Sequence, residues 1–148
     1  MHGQYIKDLS FENPRAPQSL IEQTQPQLTL NVQVTNRQFD AKTFEVALTI
    51  EASAKTPKDE PLFMLELVYA GTVTLGEVPQ DAYGPLLLIE TPRLLFPFAR
   101  AIVANCTREA GFPPLNIAPV DFVALYRQQL EAAGGQIPGM PTGTVGHA

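Results

Sequence analysis

Polarity alternates residue by residue through the first half of this chain and then gives way to helical spacing, and that change of period limits the folds open to it. The stretch "LTLNVQV" sets Leu28, Leu30, Val32 and Val34 against Thr29, Asn31 and Gln33. "FEVALTIEA" sets Phe44, Val46, Leu48, Ile50 and Ala52 against Glu45, Thr49 and Glu51. Successive side chains on a strand point to opposite faces, so each stretch predicts a strand with one buried and one solvated face. Residues 5–12, "YIKDLSFE", alternate too: Tyr5, Lys7, Leu9 and Phe11 share one side, and Ile6, Asp8, Ser10 and Glu12 the other. "LFMLELVYAGTVTL" is different. Phe63, Leu65, Leu67 and Tyr69 form one face, while Leu62, Met64, Glu66 and Val68 set three apolar residues around a single carboxylate. A greasy outward face points to an interface. Strands first and helices after predict an α+β fold: a four-stranded antiparallel sheet with helices packed on one face.

The connections carry their own signals. Pro14, Pro17 and Pro26 lack amide donors, so residues 13–27 read as a long crossover loop, with Leu20 and Ile21 as an apolar pair. Gly71 predicts a bulge or bend in the fourth strand. "VPQDAYGPLLLIE" reads as a short helix broken near Gly84–Pro85. In "TPRLLFPFARAIVANCTREAG", Thr91 is a candidate cap, Pro92 suits the first helical position and Gly111 a terminus. Leu95, Phe98, Ala99, Ile102, Val103 and Cys106 would face the core; Arg93, Arg100, Thr107 and Arg108 would face water. Pro97 either kinks this helix or begins it. "VDFVALYRQQLEAA" is a final helix with Phe122, Leu125, Tyr126 and Leu130 at core spacing. From Gly134 the chain is small and Gly/Pro-rich, which predicts one domain over 1–133 and a disordered tail over 134–148.

Composition excludes several classes. A net charge of −5 with no basic cluster argues against nucleic acid. The charged fraction, 17%, is below the usual ~25%, which favours apolar surface spent on an interface or groove. Cys106 is the only cysteine, so no disulfide forms within the chain, and its apolar neighbours predict a core residue rather than a nucleophile. The N-terminal residues have no apolar h-region, and no apolar run approaches the ~20 residues that span a bilayer. These features predict a soluble, cytoplasmic protein. His2 and His147 lie near the termini, and no catalytic triad, metal-ligand cluster, phosphate loop or dinucleotide motif is present. The residues therefore predict no enzyme, metal or cofactor, but a binding or assembly protein. Met64 beside Glu66, the Leu20–Ile21 pair and the connector 112–119 are its candidate contacts.

Three stretches, "YIKDLSFENPRAP" (5–17), "LLFPFARAIV" (94–103) and "FPPLNIAPVDFVALY" (112–126), resemble the SecB protein-export chaperones in residues, order and spacing. The resemblance implies a SecB-like fold and a cytoplasmic holdase that binds unfolded precursor proteins and hands them to the SecA translocation motor. It implies a homotetramer built as a dimer of dimers. It implies that Asp8, Glu12, Met64 and Glu66, on the exposed sheet face, dock a zinc-bearing segment of SecA, the zinc being the partner's. It implies an apolar client groove using Leu20, Ile21, Phe122, Leu125 and Tyr126. Two departures from the family pattern stand out: Thr24 where an aromatic is expected, and a tail without the usual charges. A SecB-like chaperone dedicated to a toxin–antitoxin system is the alternative reading.

Overall fold

Alternating β-branched, aliphatic and aromatic residues build four strands in the computed structural model, which describes residues 1–22 and 24–134. They are β1 (Gly3–Glu12), β2 (Gln27–Gln38), β3 (Thr43–Lys55) and β4 (Pro61–Thr74). All pairs are antiparallel and the order is β1-β4-β3-β2, so β1 and β2 are the edges. Helices pack on one face only, the α+β arrangement that the change of period predicts. The β2–β3 hairpin pairs without a break from Gln27 opposite Lys55 to Gln38 opposite Phe44. Its turn is fastened by Asp40, whose carboxylate accepts from the backbone amides of Lys42 and Thr43 at 3.0 and 2.8 Å.

The inner face is as the alternation predicts for β3: Phe44, Val46, Leu48 and Ile50 are fully buried. With Leu65 and Leu67 of β4 they form the floor of the core. Burying one such side chain contributes roughly 1.5–3 kcal/mol. Three expectations for the strands fail. First, the register of β1 against β4 shifts between Ile6 and Asp8. Lys7 is left out of the pairing between Ile6, opposite Tyr69, and Asp8, opposite Val68, so Tyr5 and Asp8 share a face and Ile6 joins Leu9 and Phe11. Second, the shift between Ala54 and Lys55 takes Leu62 off the outer face, and it is buried in a small cluster with Ala52, Ala54 and Phe63. Third, Gly71 is neither bulge nor bend. It pairs regularly with Val46, and a Cβ there would lie 3.1 Å from Leu95 and 3.2 Å from the Gly3 carbonyl, so glycine admits a close approach of helix and edge strand.

The crossover is not wholly irregular. It contains a short helix, α1 (Gln18–Ile21). Gly84–Pro85 does not interrupt the later helix either. A 3₁₀ turn (Gln80–Ala82), α2 (Tyr83–Pro85), a π-helical stretch (Leu86–Glu90) and α3 (Thr91–Glu109) run on as one rod, with helical dihedrals at each junction. Pro85 fits because its φ of −60° is already helical. Thr91 is consequently interior rather than a cap, and its hydroxyl donates to the Leu86 carbonyl at 2.8 Å. Pro97 sits inside α3 on the exposed side, where water reaches the carbonyl it leaves unpaired. Two residues exchange the faces expected of them: Phe98 is half exposed, and Thr107 is fully buried. The Thr107 hydroxyl bonds the Val103 and Ala104 carbonyls and accepts from the Leu115 amide at 2.9 Å, anchoring the connector. Gly111, at φ +95°, ends the rod as expected, with Phe112 N–H on the Thr107 carbonyl at 3.1 Å and Gly111 N–H on that of Arg108 at 3.0 Å.

α4 (Phe122–Ala132) is capped by Asp121, which accepts from the Ala124 amide at 3.1 Å. It meets the free edge of β2 at Val34. The Gln129 amide accepts from Val34 N–H at 3.2 Å and donates to the Val34 carbonyl at 2.9 Å, pairing both groups as a neighbouring strand would. The expected tail lies, beyond Gly134, outside the described residues. No helix among the described residues is long and apolar enough to cross a membrane.

Candidate functional site

Two surfaces, one on each side of the sheet, gather the residues singled out from the sequence. On the outer face the pairing lays side chains in rungs across the strands. Glu12 of β1 stands beside Met64 and Ser53, and Ser10 beside Glu66 and Glu51. These rungs line an open depression of about 350 Å³. Met64 is 49% exposed, an unusual place for a large apolar side chain amid carboxylates. Glu66 and Glu51 face each other directly across β4 and β3, and neither has an ion-pair partner among the described residues. Like charges opposite each other oppose sheet formation, so this rung stores a repulsion that a cation would relieve. Glu51 is the residue that reading by strand missed as a site. Alternation sets it outward, but its meeting with Glu66 depends on the β3–β4 register.

Asp8 lies one rung further on, in a second depression of about 500 Å³ shared with Lys7, Arg37 and Glu45. Glu45 was expected to meet water. It is 6% exposed instead, because the β1 bulge brings Lys7 to it at 2.6 Å and the Tyr5 hydroxyl donates to its other oxygen. Arg37 approaches at 4.0 Å. Burial pushes the Glu45 carboxyl up, but the Lys7 and Tyr5 hydrogen bonds, with the charges of Lys7 and Arg37, outweigh it and hold the group below its usual range. Burial, then the bond to Glu45, pushes the Tyr5 phenol up to about 12. The outer face thus has a neutralised end around Glu45 and an uncompensated acidic end around Glu66.

On the helix side, an apolar groove of about 370 Å³ runs between the crossover and the connector that follows α3. Its floor is Leu28, Ala54, Leu62 and Phe63; Leu20 and Thr24 stand on one wall, and Phe112 to Leu115 form the other. Phe63 is flanked by Phe11 and Phe112, with ring centres 5.7 and 5.2 Å away. Leu20 rests against Gly111, where a Cβ would meet it at 3.0 Å. Ile21, 72% exposed, does not line the groove, and Leu28 and Leu30 of the edge strand are about half exposed. The structure does not bring Phe122, Leu125 and Tyr126 into this groove. Phe122 is buried edge-on to Phe96, and Leu125 and Tyr126 pack on the same core. Leu28, Leu62, Phe63 and Phe112 line it instead; the sequence assigned Leu28 and Phe63 to ordinary strand faces and Leu62 to the greasy outward face.

Burial pushes the Cys106 thiol up, away from nucleophilic character. Among the described residues no group of three or more histidine, cysteine or acidic side chains is placed to hold a metal ion.

Comparison with known proteins agrees with this anatomy. The family model of the preprotein translocase subunit SecB matches residues 1–133. Protein-export protein SecB of a Bradyrhizobium species is 55% identical over 140 residues, covering 91% of this chain and 86% of that protein. Its counterpart in Afipia carboxidovorans is 56% identical over 128 residues, covering 86% and 79%. That of Methylocella silvestris is 51% identical over 138 residues, covering 91% and 85%. Among solved structures, a SecB-like chaperone of Mycobacterium tuberculosis, in complex with a ChAD peptide from an antitoxin, superposes with a TM-score of 0.65 at 13% identity, over 81% of this chain and 88% of that one. The sheet with helices on one side, the matched span and the identity of these relatives together establish that the chain belongs to the SecB family.

Proposed function

We propose that this export chaperone grips unfolded precursor proteins in the groove between crossover and connector, and offers the acidic end of its outer sheet face to the SecA motor. The observation that carries the client reading is the apolar surface left open around that groove: Leu20, Ile21, Leu28 and Leu30 are each 44–72% exposed. Such a patch is costly in water and suits partners that expose apolar side chains. Each client side chain buried there contributes about 1.5–3 kcal/mol. Ordering each client residue costs about 1–2 kcal/mol. One groove therefore binds weakly, and repetition around a homotetramer raises avidity by roughly 10²–10⁴. The tetramer has surfaces to build on. Leu94 and Phe98 are 57% and 53% exposed on α3, and the edge strand β1 bares Ile6 and Leu9.

Glu12, Met64 and Glu66, joined by Glu51 and by Asp8 one rung away, form the SecA-facing site. Several carboxylates are required, because exposed charge pairs contribute little singly. The site is read as docking a cationic or metal-bearing segment of the partner, in the cytoplasm. The toxin–antitoxin alternative is not favoured: the chain is about half identical to export proteins and only 13% identical to the antitoxin-bound chaperone.

The test is suppression of aggregation of a slow-folding precursor without ATP, together with titration of SecA. Wild-type protein is expected to suppress aggregation. Glu66→Lys is expected to keep that activity and the native mass while losing SecA affinity, by roughly tenfold or more where several charge pairs act together. Unchanged SecA affinity would remove the outer-face assignment, and absence of any holdase effect would remove the groove.

A further inference from the structure

Two polar contacts, from Arg15 and Asn13, tie the crossover wall of the groove to the body of the protein. Arg15 donates from Nη2 to Glu22 Oε1 within the wall and reaches Glu60 Oε2, in the β3–β4 turn, at 3.7 Å. Its side chain is 20% exposed and that of Glu22 26%, so that contact is partly shielded from water, whereas Glu60 is 50% exposed. Asn13 Nδ2 adds a bond to the Ala110 carbonyl at 3.0 Å. Against these ties stands a concentration of unmet polarity. Asn13 Oδ1, Arg15 Nη1 and Ser19 Oγ are all buried without a hydrogen-bond partner among the described residues, three such atoms within seven residues. Buried polar groups without partners disfavour the arrangement that buries them. The partly shielded, charge-assisted bond to Glu22, with the longer pair to Glu60, is an interaction able to offset that. The wall is therefore closed but poorly satisfied, and the Arg15 guanidinium is its charged tie.

Resting on the client-binding reading above, we propose that Arg15 is the positioning residue of the groove: its contacts to Glu22 and Glu60 hold the wall 13–22 closed, and breaking them lets an unfolded chain enter. Leu20 travels with the wall. In the closed position it lies on Gly111 and occupies the groove's end, where a client side chain would otherwise seat. The device responds to ionic strength, because salt screens the ion pairs and leaves the apolar floor intact.

Hydrogen exchange on the full chain tests the wall without any client. Arg15→Gln is expected to speed exchange at residues 18–22 about tenfold or more while amides of β3 stay as protected as in the wild type. Arg15→Lys, which keeps the charge, is expected to restore most of the protection. In parallel, stopped-flow mixing with a labelled, urea-denatured polypeptide reads entry. Wild-type association is expected to accelerate between about 0.05 and about 0.5 M salt. Arg15→Gln is expected to associate faster at low salt and to lose that dependence. Unchanged exchange at 18–22 overturns the role of Arg15, and faster exchange with unchanged association overturns the wall as a gate. If no variant binds the denatured chain although exchange responds, the groove is not a client site, and only Arg15's hold on the wall survives.

Discussion

Glu45 and Glu51 stand six residues apart on the same face of β3 and meet opposite fates. Glu45 is enclosed by Tyr5, Lys7 and Arg37, while Glu51 faces another carboxylate in the open. The first is structural and its titration should show it. Its folded pKa is depressed, so the stabilisation it provides is present above the usual carboxylate pKa and is lost as pH falls through the lower folded value. Glu45→Gln is expected to cost about 1–3 kcal/mol near neutrality, because the Lys7 ammonium loses its partner. Urea melts between pH 7 and pH 3 should also show a shallower acid decline in the variant than in the wild type. Tyr5 gives an independent reading. In an alkaline absorbance titration one phenol is expected to ionise near 12, and Tyr5→Phe to remove that step. Thr107→Val is a further test of a single side chain. It leaves the Leu115 amide without its acceptor in a dry site and is expected to destabilise by about 1–3 kcal/mol, read from the same melts.

The Gln129 amide closes part of an edge strand from the side of a helix, an arrangement that blunts the edge of β2 at Val34 and leaves Leu28 and Leu30 beyond it uncovered. Gln129→Ala is expected to cost about 1–2 kcal/mol and to raise exchange throughout α4 while β3 is unaffected. The contact joins residues 95 apart, and such pairings are what the sequence conceals. Period-two alternation was enough to place the inner face of β3, but on β2 it set Leu28 and Leu30 on a face meant to be buried, and both are about half exposed because the core reaches only Val32 and Val34 of that set. It failed at Lys7 and at Leu62, where a bulge shifts the phase with no glycine to mark it. Helical spacing failed at Phe98 and Thr107. Thr107 is buried because the connector crosses over it and uses its hydroxyl, and Phe98 is bared because the sheet covers only part of α3. Proline was a poor guide to helix breaks here: Pro85 lies at a helical φ, and Pro97 sits where solvent can replace the missing bond. The acidic rung was half legible, since its members could be assigned outward but their adjacency needed the register. The groove was less so, for it is built by the crossover and connector closing over strand residues that carry no mark of their own.

Beyond the single chain, the exposed stripe on α3 and the bare edge at β1 set the expectation for assembly. Leu94→Asp with Phe98→Asp is expected to halve or quarter the mass seen by light scattering without unfolding the subunit, because both side chains lie on the surface. Loss of the folded signal alongside the mass would instead mean that the subunit cannot stand alone. The sheet wears its helices on one side only, and this gives the molecule a front and a back. On the proposed reading, cargo would sit behind the strands, among crossover and connector, while the carboxylates look out from the front. Client and motor would then couple to opposite faces of one sheet, and a loaded carrier would have no need to be emptied before it is recognised.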